Sequence, residues 1–586
     1  MFTDELLSVL FLDTLVDDDA PEIPSDGIER LSWSKLRPSQ LRGVQLIEQC
    51  FAPVDKLPGV LIAFPCGGGK TGVTLQALRR LLDRGEVLKP LIIAPLLVAQ
   101  TGWPDELGEW EETRQTTFTL LRVEDDDTEL VAYSDQIYQR ALRRYQAVFE
   151  AHVAREPALK ATQARGAVRF RWKERAIARR KDKEPLLQSP GDLAGKIRDF
   201  YALRFKYAKL ARLAAQDTEL HIVNKEALPW LWDHFGAGRR WPYDALILDD
   251  LREGRSGRKR VNRGRSDEGK AAPLSRFGIL ARARKKVKAT IQLCGTPTPR
   301  GLENVWGLSY LVDLGERLGT DKKAFMDRWF WSNTYTRETK PHDHSFNEIV
   351  DKIRDIMFSV NPDELAAELP GDPIINPIRV KLPRKVLNEY KTFERRMVSE
   401  QYDVEAVNAG VLHNKLLQFA NGSMYQEDGS DIWIHDCKIE ALKELVTGLD
   451  GIPLLVAYTY QFDVERICKA FPNAEVLKPS NAIDIKRRWN ADEIPILLAH
   501  RASAGHGLNL QKGVGQMCEY GLTSDAELFA QFLFRLQRPG RKHPVINHVL
   551  IAEGTIDEKI YPMYLDPKLA TQNRFLEAIR INHDLS

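Results

Sequence analysis

The sequence has few of the cysteine patterns that mark zinc-binding or disulfide-stabilised proteins. Its six cysteines stand at positions 50, 66, 294, 437, 468 and 518, without a Cys-x-x-Cys pair or a nearby histidine pair. This spacing excludes the usual zinc sites and gives no disulfide framework. Reduced thiols in a cytosolic protein fit the pattern best.

Long hydrophobic runs are also missing. The apolar stretch at residues 6–16 is short, is interrupted by Asp13 and has acidic flanks. We therefore interpret it neither as a signal peptide nor as a transmembrane span, and we expect no membrane partner.

The chain also lacks a large net charge, because its 84 Lys and Arg residues are nearly balanced by 82 Asp and Glu residues. The charges are nevertheless unevenly distributed. Residues 1–31 form an acidic segment, whereas residues 155–183 and 252–270 are dense in Arg and Lys. A basic stretch can neutralise phosphates, but it is also typical of a solvated helix face or loop.

With 586 residues the chain exceeds the size of a single core, so we expect two or more domains. The first informative stretch is GVLIAFPCGGGKTGVTLQALRRLL at residues 59–82. It predicts a buried strand, a glycine-rich turn and a helix over residues 71–82. This is the context of a loop that binds the phosphates of ATP.

Each residue of this loop has a predicted task. The glycines let backbone N–H groups curl around phosphate oxygens, and the helix start directs its positive dipole end at them. Lys70 would reach the β- and γ-phosphates, and the Thr71 hydroxyl would hold Mg²⁺. The candidate loop residues are Cys66, Gly67, Gly68, Gly69, Lys70 and Thr71. The full pattern departs at Phe64, where a glycine is expected, and a purely structural glycine-rich turn is the alternative.

The segment YDALILDD at residues 243–250 predicts a hydrophobic strand that ends in two carboxylates. Nucleotide hydrolases need one carboxylate to anchor Mg²⁺ and a neighbour to orient the attacking water. Asp249 and Asp250 are the candidates for these two tasks. An ordinary acidic turn is the alternative for the segment taken alone.

At this point the chain resembles the Swi/Snf-type branch of helicase superfamily two, and within it the short phage-encoded members. The matching segments follow one another in the family's order: LRPSQLRGV (36–44), the GGGKT loop, LIIAPLLVAQTGWPDELGEW (91–110), HIVNKEALPWL (221–231), YDALILDD, LCGTPTPRGLENVWGL (293–308), LLVAYTYQFDVERI (454–467), AHRASAGHGLNLQ (499–511) and QFLFRLQRPGRKHPV (531–545).

The resemblance implies further roles. Gln40 would read the adenine, and Thr296 would couple the nucleotide state to movement between lobes. Gly507 and Asn509 would shape a loop that faces the cleft.

Gln531, Arg535 and Arg538 have the spacing of the family's arginine-finger motif, in which guanidinium groups stabilise the transferring phosphoryl group. Two exposed helix positions three residues apart are the alternative for the arginines.

Two further departures from the family pattern concern charged residues. Asp250 stands where the family usually has glutamate, which shortens the water-orienting side chain by one methylene, or roughly 1.5 Å. Arg501 stands where phage relatives tend to have a less charged residue, and the sequence assigns it no role.

The expected fold is α/β, with two RecA-like parallel-sheet lobes in tandem. We expect lobe one over residues 32–310 with a helical, basic insertion at about 123–220. A mostly helical bridge would occupy 311–434, lobe two 435–560, and a C-terminal brace helix 561–586.

The predicted function is an ATP- and Mg²⁺-dependent translocase that moves on duplex DNA through phosphate contacts. A strand-separating helicase and an ATP-switched DNA clamp with weak turnover are the alternatives. The resemblance implies a cytoplasmic location, in a bacterium or a phage-infected host cell.

Overall fold

Two parallel sheets form the framework of the protein. The computed structural model describes residues 31–64, 68–123, 127–143, 146, 190–251, 274–295, 297–298, 301–332, 339–360, 371–396, 398–399, 404–405, 409–426, 428–501, 510, 513–537, 541 and 543–565. The predicted α/β class with two parallel-sheet lobes is confirmed.

Lobe one is built on a seven-stranded sheet of order β3-β4-β2-β5-β6-β1-β9, in which all pairs are parallel. Its strands are β1 (Gly59–Ile62), β2 (Pro90–Ala94), β3 (Phe118–Leu121), β4 (Leu220–Asn224), β5 (Ala245–Asp249) and β6 (Ala289–Leu293). A separate hairpin of β7 (Phe330–Ser332) and β8 (Thr339–Pro341) precedes the last strand, β9 (Met357–Phe358).

The helices of this half are α1 (Pro38–Gln49), α2 (Lys70–Asp83), α3 (Trp103–Glu109), α4 (Pro190–Ala214), α5 (Leu228–His234), α6 (Arg276–Ala283), α7 (Val305–Asp313), α8 (Lys322–Trp329) and α9 (Ser345–Ile353). A π-helical turn over Val98–Gly102 leads directly into α3. The described parts of the predicted insertion are α4 and a helix over residues 128–143. Tyr133 and Phe205 stack between these two helices with ring centroids 5.0 Å apart.

Lobe two is built on a six-stranded parallel sheet of order β10-β19-β18-β15-β17-β16. Its strands are β10 (Ile374–Val380), β15 (Leu454–Tyr458), β16 (Ala474–Val476), β17 (Ile496–His500), β18 (Gln516–Glu519) and β19 (Ile546–Ala552). Two small antiparallel pairs lie between β10 and β15 in sequence: β11 (Val398–Ser399) with β12 (Val404–Glu405), and β13 (Ser423–Tyr425) with β14 (Asp431–Trp433).

The helices of lobe two are α10 (Arg384–Arg396), α11 (Ala409–Asn421), α12 (Cys437–Gly448), α13 (Gln461–Ala470), α14 (Ala482–Asn490), α15 (Ala526–Leu533) and α16 (Ile556–Leu565). Short 3-10 turns occupy Trp33–Lys35, Lys225–Ala227, Arg284–Lys286, Leu302–Asn304 and Pro479–Asn481.

The central strands are apolar because both faces of each sheet are covered. In β1, Val60 and Ile62 join one core of lobe one, whereas Leu61 joins the core on the opposite face. In β15, Leu454 and Leu455 divide in the same way between the two cores of lobe two. Alternate residues of a strand point to opposite faces, so a strand covered on both sides reads as a continuous apolar run.

The structure places both boundaries of the predicted helical bridge differently. Lobe one continues past residue 310, because β9 pairs with β1. Lobe two begins before residue 435, because β10 pairs with β19 over seven residues. Most side chains of β10 are exposed or half-buried, so its sequence lacks the apolar run by which a central strand is recognised. Residues 1–30 and the predicted brace helix beyond residue 565 lie outside the described residues.

Within the part of the chain that the structure describes, no helix combines the length and apolar character needed to cross a membrane.

Candidate active site

The described end of the turn between β1 and α2 consists of Gly68 and Gly69, which lead directly into the helix. Gly69 caps α2 with a φ of +81°, a conformation that favours glycine. A Cβ atom at Gly69 would lie only 2.3 Å from the side-chain nitrogen of Gln40. Glycine is therefore required here both by the backbone angle and by the approach of Gln40. Cys66 and Gly67 lie outside the described residues.

Gln40 is buried against this loop. Its Nε2 donates to the carbonyl oxygen of Gly68 at 3.3 Å, and its Oε1 accepts from the backbone N–H of Arg37 at 3.0 Å. The Arg37 guanidinium donates to the same Gly68 oxygen at 2.9 Å. Two side chains at the start of α1 thus hold the carbonyl of Gly68.

Lys70 is the first residue of α2 and spans the loop. Its Nζ donates to the carbonyl oxygen of Phe64 at 3.0 Å, while the neighbouring Thr71 is half-buried in the first helical turn. The Phe64 ring is fully buried in a core of lobe one and makes an edge contact with Phe358, with centroids 5.6 Å apart. The contact of Lys70 with position 64 thus uses the backbone carbonyl and not the side chain.

Strand β5 delivers the two carboxylates. Asp249 is its last residue and is 6% exposed. Asp250 turns the chain with a φ of +47°, a region in which Asp is several-fold enriched among non-glycine residues. Its backbone N–H donates to the carbonyl of Leu293 at 2.8 Å, which fixes the turn to the end of β6.

Burial is the main cause that raises the pKa of Asp249, to about 6, and the neighbouring Asp250 carboxylate acts in the same direction. Lys70, a hydrogen bond from Trp103 and the charge of Arg535 oppose this rise. A buried carboxylate beside a second carboxylate disfavours its own ionised form. A cation bound at this place would relieve both effects.

Lobe two contributes its residues from α15 and the turn that follows. The Nε2 of Gln531 donates to Oδ2 of Asp250 at 3.2 Å, across the cleft between the lobes. Arg535 is 9% exposed and donates from Nε to the carbonyl of Gln531 at 3.2 Å. The structure therefore brings two residues of lobe two close to the carboxylates of lobe one. Gln531 and Asp250, which are in contact, are 281 positions apart in the sequence.

The remaining predicted site residues are not placed by the structure. Thr296, Gly507, Asn509 and Arg538 lie outside the described residues, so their roles remain predictions.

The donor chemistry of the cleft fits Mg²⁺. Asp249, Asp250 and the Thr71 hydroxyl offer hard oxygen ligands, which Mg²⁺ prefers. No cluster of three or more His, Cys, Asp or Glu side chains suited to a metal occurs among the described residues. Mg²⁺ is usually bound through one or two carboxylates together with substrate phosphates, and Asp249 and Thr71 would be its protein ligands here.

Two further residues, Trp103 in lobe one and Arg501 in lobe two, make buried polar contacts that the sequence did not indicate. Trp103 is fully buried and donates from its indole N–H to Oδ2 of Asp249 at 2.9 Å. The string TGWPDEL contained it, but a buried tryptophan in an apolar segment gives no signal of a polar task.

Arg501, to which the sequence assigned no role, forms a buried ion pair with Glu519 and donates to Thr459 Oγ1 at 2.7 Å. It joins the carboxyl ends of β15, β17 and β18.

Comparisons with known proteins identify a sequence relative. No protein-family model matches the chain. Two solved structures, the SWI2/SNF2 ATPase core of Sulfolobus solfataricus in complex with dsDNA and the core domain of the same ATPase, align over 91% of this chain at 16% and 15% identity. The aligned regions cover 92% and 89% of the two solved chains, and the TM-scores are only 0.34 and 0.33.

A phage protein is much more similar. Protein p41 of Acyrthosiphon pisum secondary endosymbiont phage 1 is 30% identical over 535 residues, which cover 88% of this chain and 93% of p41. The alignment thus spans both lobes, and the chain belongs to the same protein family as p41 of this phage.

Proposed function

We propose that the protein is an ATP-driven motor on DNA that hydrolyses ATP between its two lobes. The observation that carries the proposal is the contact of Gln531 with Asp250 beside the buried Asp249 and Arg535. A structural turn in lobe one would not need a polar partner from lobe two. A hydrolytic site formed on closure does need one.

Each side chain has a task in this proposal. Lys70 binds the β- and γ-phosphates of ATP at the start of α2, where backbone N–H groups and the helix dipole favour negative charge. Thr71 and Asp249 would hold Mg²⁺, which neutralises the charge that develops on the phosphates. Asp250 orients the attacking water, and Gln531 fixes the direction of its carboxylate.

Arg535 and Arg538 act from the other side of the cleft. A guanidinium group at the γ-phosphate stabilises the charge of the transferring phosphoryl group and adds several orders of magnitude to the rate. Because these arginines belong to lobe two, ATP binding favours the closed cleft and hydrolysis releases it. Thr296, Gly507 and Asn509 would pass this change to the nucleic acid.

The proposed partner is duplex DNA, bound mainly through its phosphates. Support comes from the ordered series of Swi/Snf-type motifs and from the basic stretches at residues 155–183 and 252–270. Phosphate contacts neutralise backbone charge and carry little sequence information. We therefore propose movement along DNA without recognition of a particular base sequence.

The second candidate function is an ATP-switched clamp with weak turnover. Asp250 favours it, because the shorter carboxylate lies at the water-orienting position. In such a protein, nucleotide would control DNA binding, and hydrolysis would serve only to reset the clamp.

One experiment separates these functions. The ATPase rate of the full chain is measured with duplex DNA, single-stranded DNA, RNA and no polymer, with Lys70→Ala as the inactive reference. We expect duplex DNA to stimulate most, and its apparent affinity to fall steeply with salt. Equal stimulation by RNA would contradict the DNA assignment. Full activity of a folded Lys70→Ala variant would overturn the nucleotide site itself.

A slow rate with every polymer, together with tight ATP-dependent DNA binding, would establish the clamp in place of the motor.

A further inference from the structure

Trp103 has an unusual position for a polar contact. Its side chain is fully buried in a core of lobe one, and its only polar atom, the indole nitrogen, lies 2.9 Å from Oδ2 of Asp249. A buried indole N–H normally finds an acceptor. Here the acceptor is the carboxylate to which the proposed function assigns the metal.

The chain reaches this position through the π-helical turn at Val98–Gly102. Such a turn adds a residue to the helical repeat and often occurs at functional sites. The Thr101 hydroxyl donates to the carbonyl of Leu97 at 2.8 Å within it. Trp103 follows immediately as the first residue of α3 and is directed at the end of β5.

Helix α3 also packs against the phosphate-binding helix α2. A Cβ atom at Gly72 would lie 2.9 Å from both Glu106 Oε1 and the Trp110 ring, so glycine is required for this approach. Trp110 donates from its own indole N–H to Glu106 at 3.0 Å. The same short helix therefore contacts both halves of the candidate ATP site.

The same segment also contacts lobe two. Leu97 is 3% exposed and belongs to a core that otherwise consists of lobe-two residues. Asp105 forms an ion pair with Lys486 of α14 at 2.5 Å. The segment from Leu97 to α3 is thus fixed at one side by lobe two and at the other by Asp249.

We propose that Trp103 is a positioning residue for Asp249, and that the contacts of α3 with lobe two link closure of the cleft to the metal-binding carboxylate. The proposal rests on the nucleotide site proposed above. A carboxylate attached through a single bond can rotate, and a donor fixed in the core holds one of its oxygens. The other oxygen then keeps one direction towards the cleft.

The test compares two buried tryptophans of lobe one, each of which donates its indole N–H to a carboxylate. Trp103→Phe removes the N–H that reaches Asp249 and keeps an aromatic ring in the core. Trp329→Phe removes an N–H that reaches Glu348 at 2.9 Å instead, and it serves as the matched control. For each protein, binding of a fluorescent ATP analogue is titrated with Mg²⁺ to find the midpoint concentration. Binding in EDTA reports the part that needs no metal.

A hydrogen bond to a charged group contributes about 1.5–3 kcal/mol, so we expect the Mg²⁺ midpoint of Trp103→Phe to rise at least about tenfold. Binding in EDTA should be unchanged, and Trp329→Phe should keep the wild-type midpoint. An unchanged midpoint in Trp103→Phe, or an equal rise in both variants, would overturn the inference. Failure of the wild type to bind any nucleotide would overturn the proposed function and this inference with it.

A second variant avoids any change to the core. Lys486→Met removes the ion pair of α3 with lobe two, which is partly exposed to solvent, and we expect it to contribute about 1 kcal/mol. We expect a rise of the Mg²⁺ midpoint of up to about fivefold, and a smaller effect when Trp103→Phe is already present, because linked residues are not additive. Full additivity of the two changes would show that lobe two does not act through Trp103.

Discussion

Two buried cations of lobe two, Lys438 and Arg501, are each paired with a buried carboxylate, whereas the buried Asp249 of lobe one lies beside a second carboxylate. Lys438 and Asp557 of lobe two have fully buried side chains and form an ion pair of 2.7 Å. Lys438 also donates to Asn421 Oδ1 at 3.0 Å. Arg501 and Glu519 form a second buried pair close to the carboxyl ends of their strands.

The two arrangements have different consequences. A paired buried charge with further hydrogen bonds holds the elements that carry it, here α12 and α16 for Lys438 and Asp557. A carboxylate placed beside another carboxylate is unfavourable without a ligand, and burial raises the pKa of Asp249 accordingly. The two ion pairs of lobe two thus hold its own elements together, whereas the environment of Asp249 in lobe one disfavours its charge in the absence of a cation.

The largest expected effect concerns Arg535, the buried arginine that lobe two contributes to the candidate site. Arg535→Ala should lower the DNA-stimulated ATPase rate by about 10³-fold or more, since an arginine at the γ-phosphate acts mainly in the transition state. ATP affinity should change far less. Turnover and equilibrium nucleotide binding are measured on the same preparation.

Arg487→Ala provides the control, because Arg487 is a largely exposed arginine of lobe two. It should leave both quantities unchanged. Equal losses of binding and turnover in Arg535→Ala would identify Arg535 as a ground-state ligand and weaken the comparison between the lobes.

The next effect concerns stability. Lys438→Met leaves Asp557 as a buried charge without its cation, and removal of one partner from such a pair costs about 3–5 kcal/mol. The melting temperature should therefore fall strongly. The double variant Lys438→Met/Asp557→Leu should recover much of the loss, because it removes both charges. A single variant with an unchanged melting temperature would show that this pair does not hold α12 to α16.

These contacts show how far the sequence could predict the molecule. The loop at Gly69 and Lys70 and the strand that ends in Asp249 were predictable, because each depends on a local pattern of apolar residues followed by special turn residues. The contact between Asp250 and Gln531 depends on how two lobes pack, which no local pattern contains. The resemblance implies that Arg535 and Arg538 act on the transferring phosphoryl group, but it does not predict this contact.

Other features could not be predicted for specific physical reasons. The side chains of the edge strand β10 are mostly exposed or half-buried. Its sequence therefore does not show the continuous apolar run that would have assigned it to lobe two. Trp103 looks like an ordinary core residue, because its polar task depends on a single nitrogen atom. Phe64 departs from the expected loop pattern, although its ring is buried in the core and its contact with Lys70 uses the backbone carbonyl.

A smaller effect tests the unfavourable position of Asp249. Asp249→Asn removes a buried charge whose pKa lies at about 6 in the folded protein and near 3.8 in the unfolded chain. Wild-type Asp249 is charged in both states above pH 6, and there its burial lowers stability by up to about 3 kcal/mol. The cost diminishes as the pH falls from 6 towards 4, because the folded state binds the proton first.

We therefore expect Asp249→Asn to melt at a higher temperature than the wild type at pH 7.5, with a difference that shrinks below pH 6. Melting curves without nucleotide over this range provide the measurement. The variant should at the same time lose Mg²⁺-dependent ATP binding. A lower melting temperature at pH 7.5 would mean that Asp249 stabilises the lobe, as the charges of lobe two do.

The smallest expected effect concerns the shorter carboxylate. Asp250 has a φ of +47° and already reaches Gln531 of lobe two at 3.2 Å. The chain turn and the partner across the cleft thus fit an aspartate, so an added methylene must displace one of them. We expect Asp250→Glu to lower the ATPase rate by about tenfold, equivalent to about 1.4 kcal/mol, with little change in ATP binding.

The comparison variant Asp250→Asn keeps the length and suits the same backbone region, but its neutral amide should stop hydrolysis and spare binding. A glutamate variant as fast as the wild type would show that the turn adjusts to either length. Hydrolysis by Asp250→Asn would assign the water to another group, and lobe one would then need only one carboxylate in the cleft.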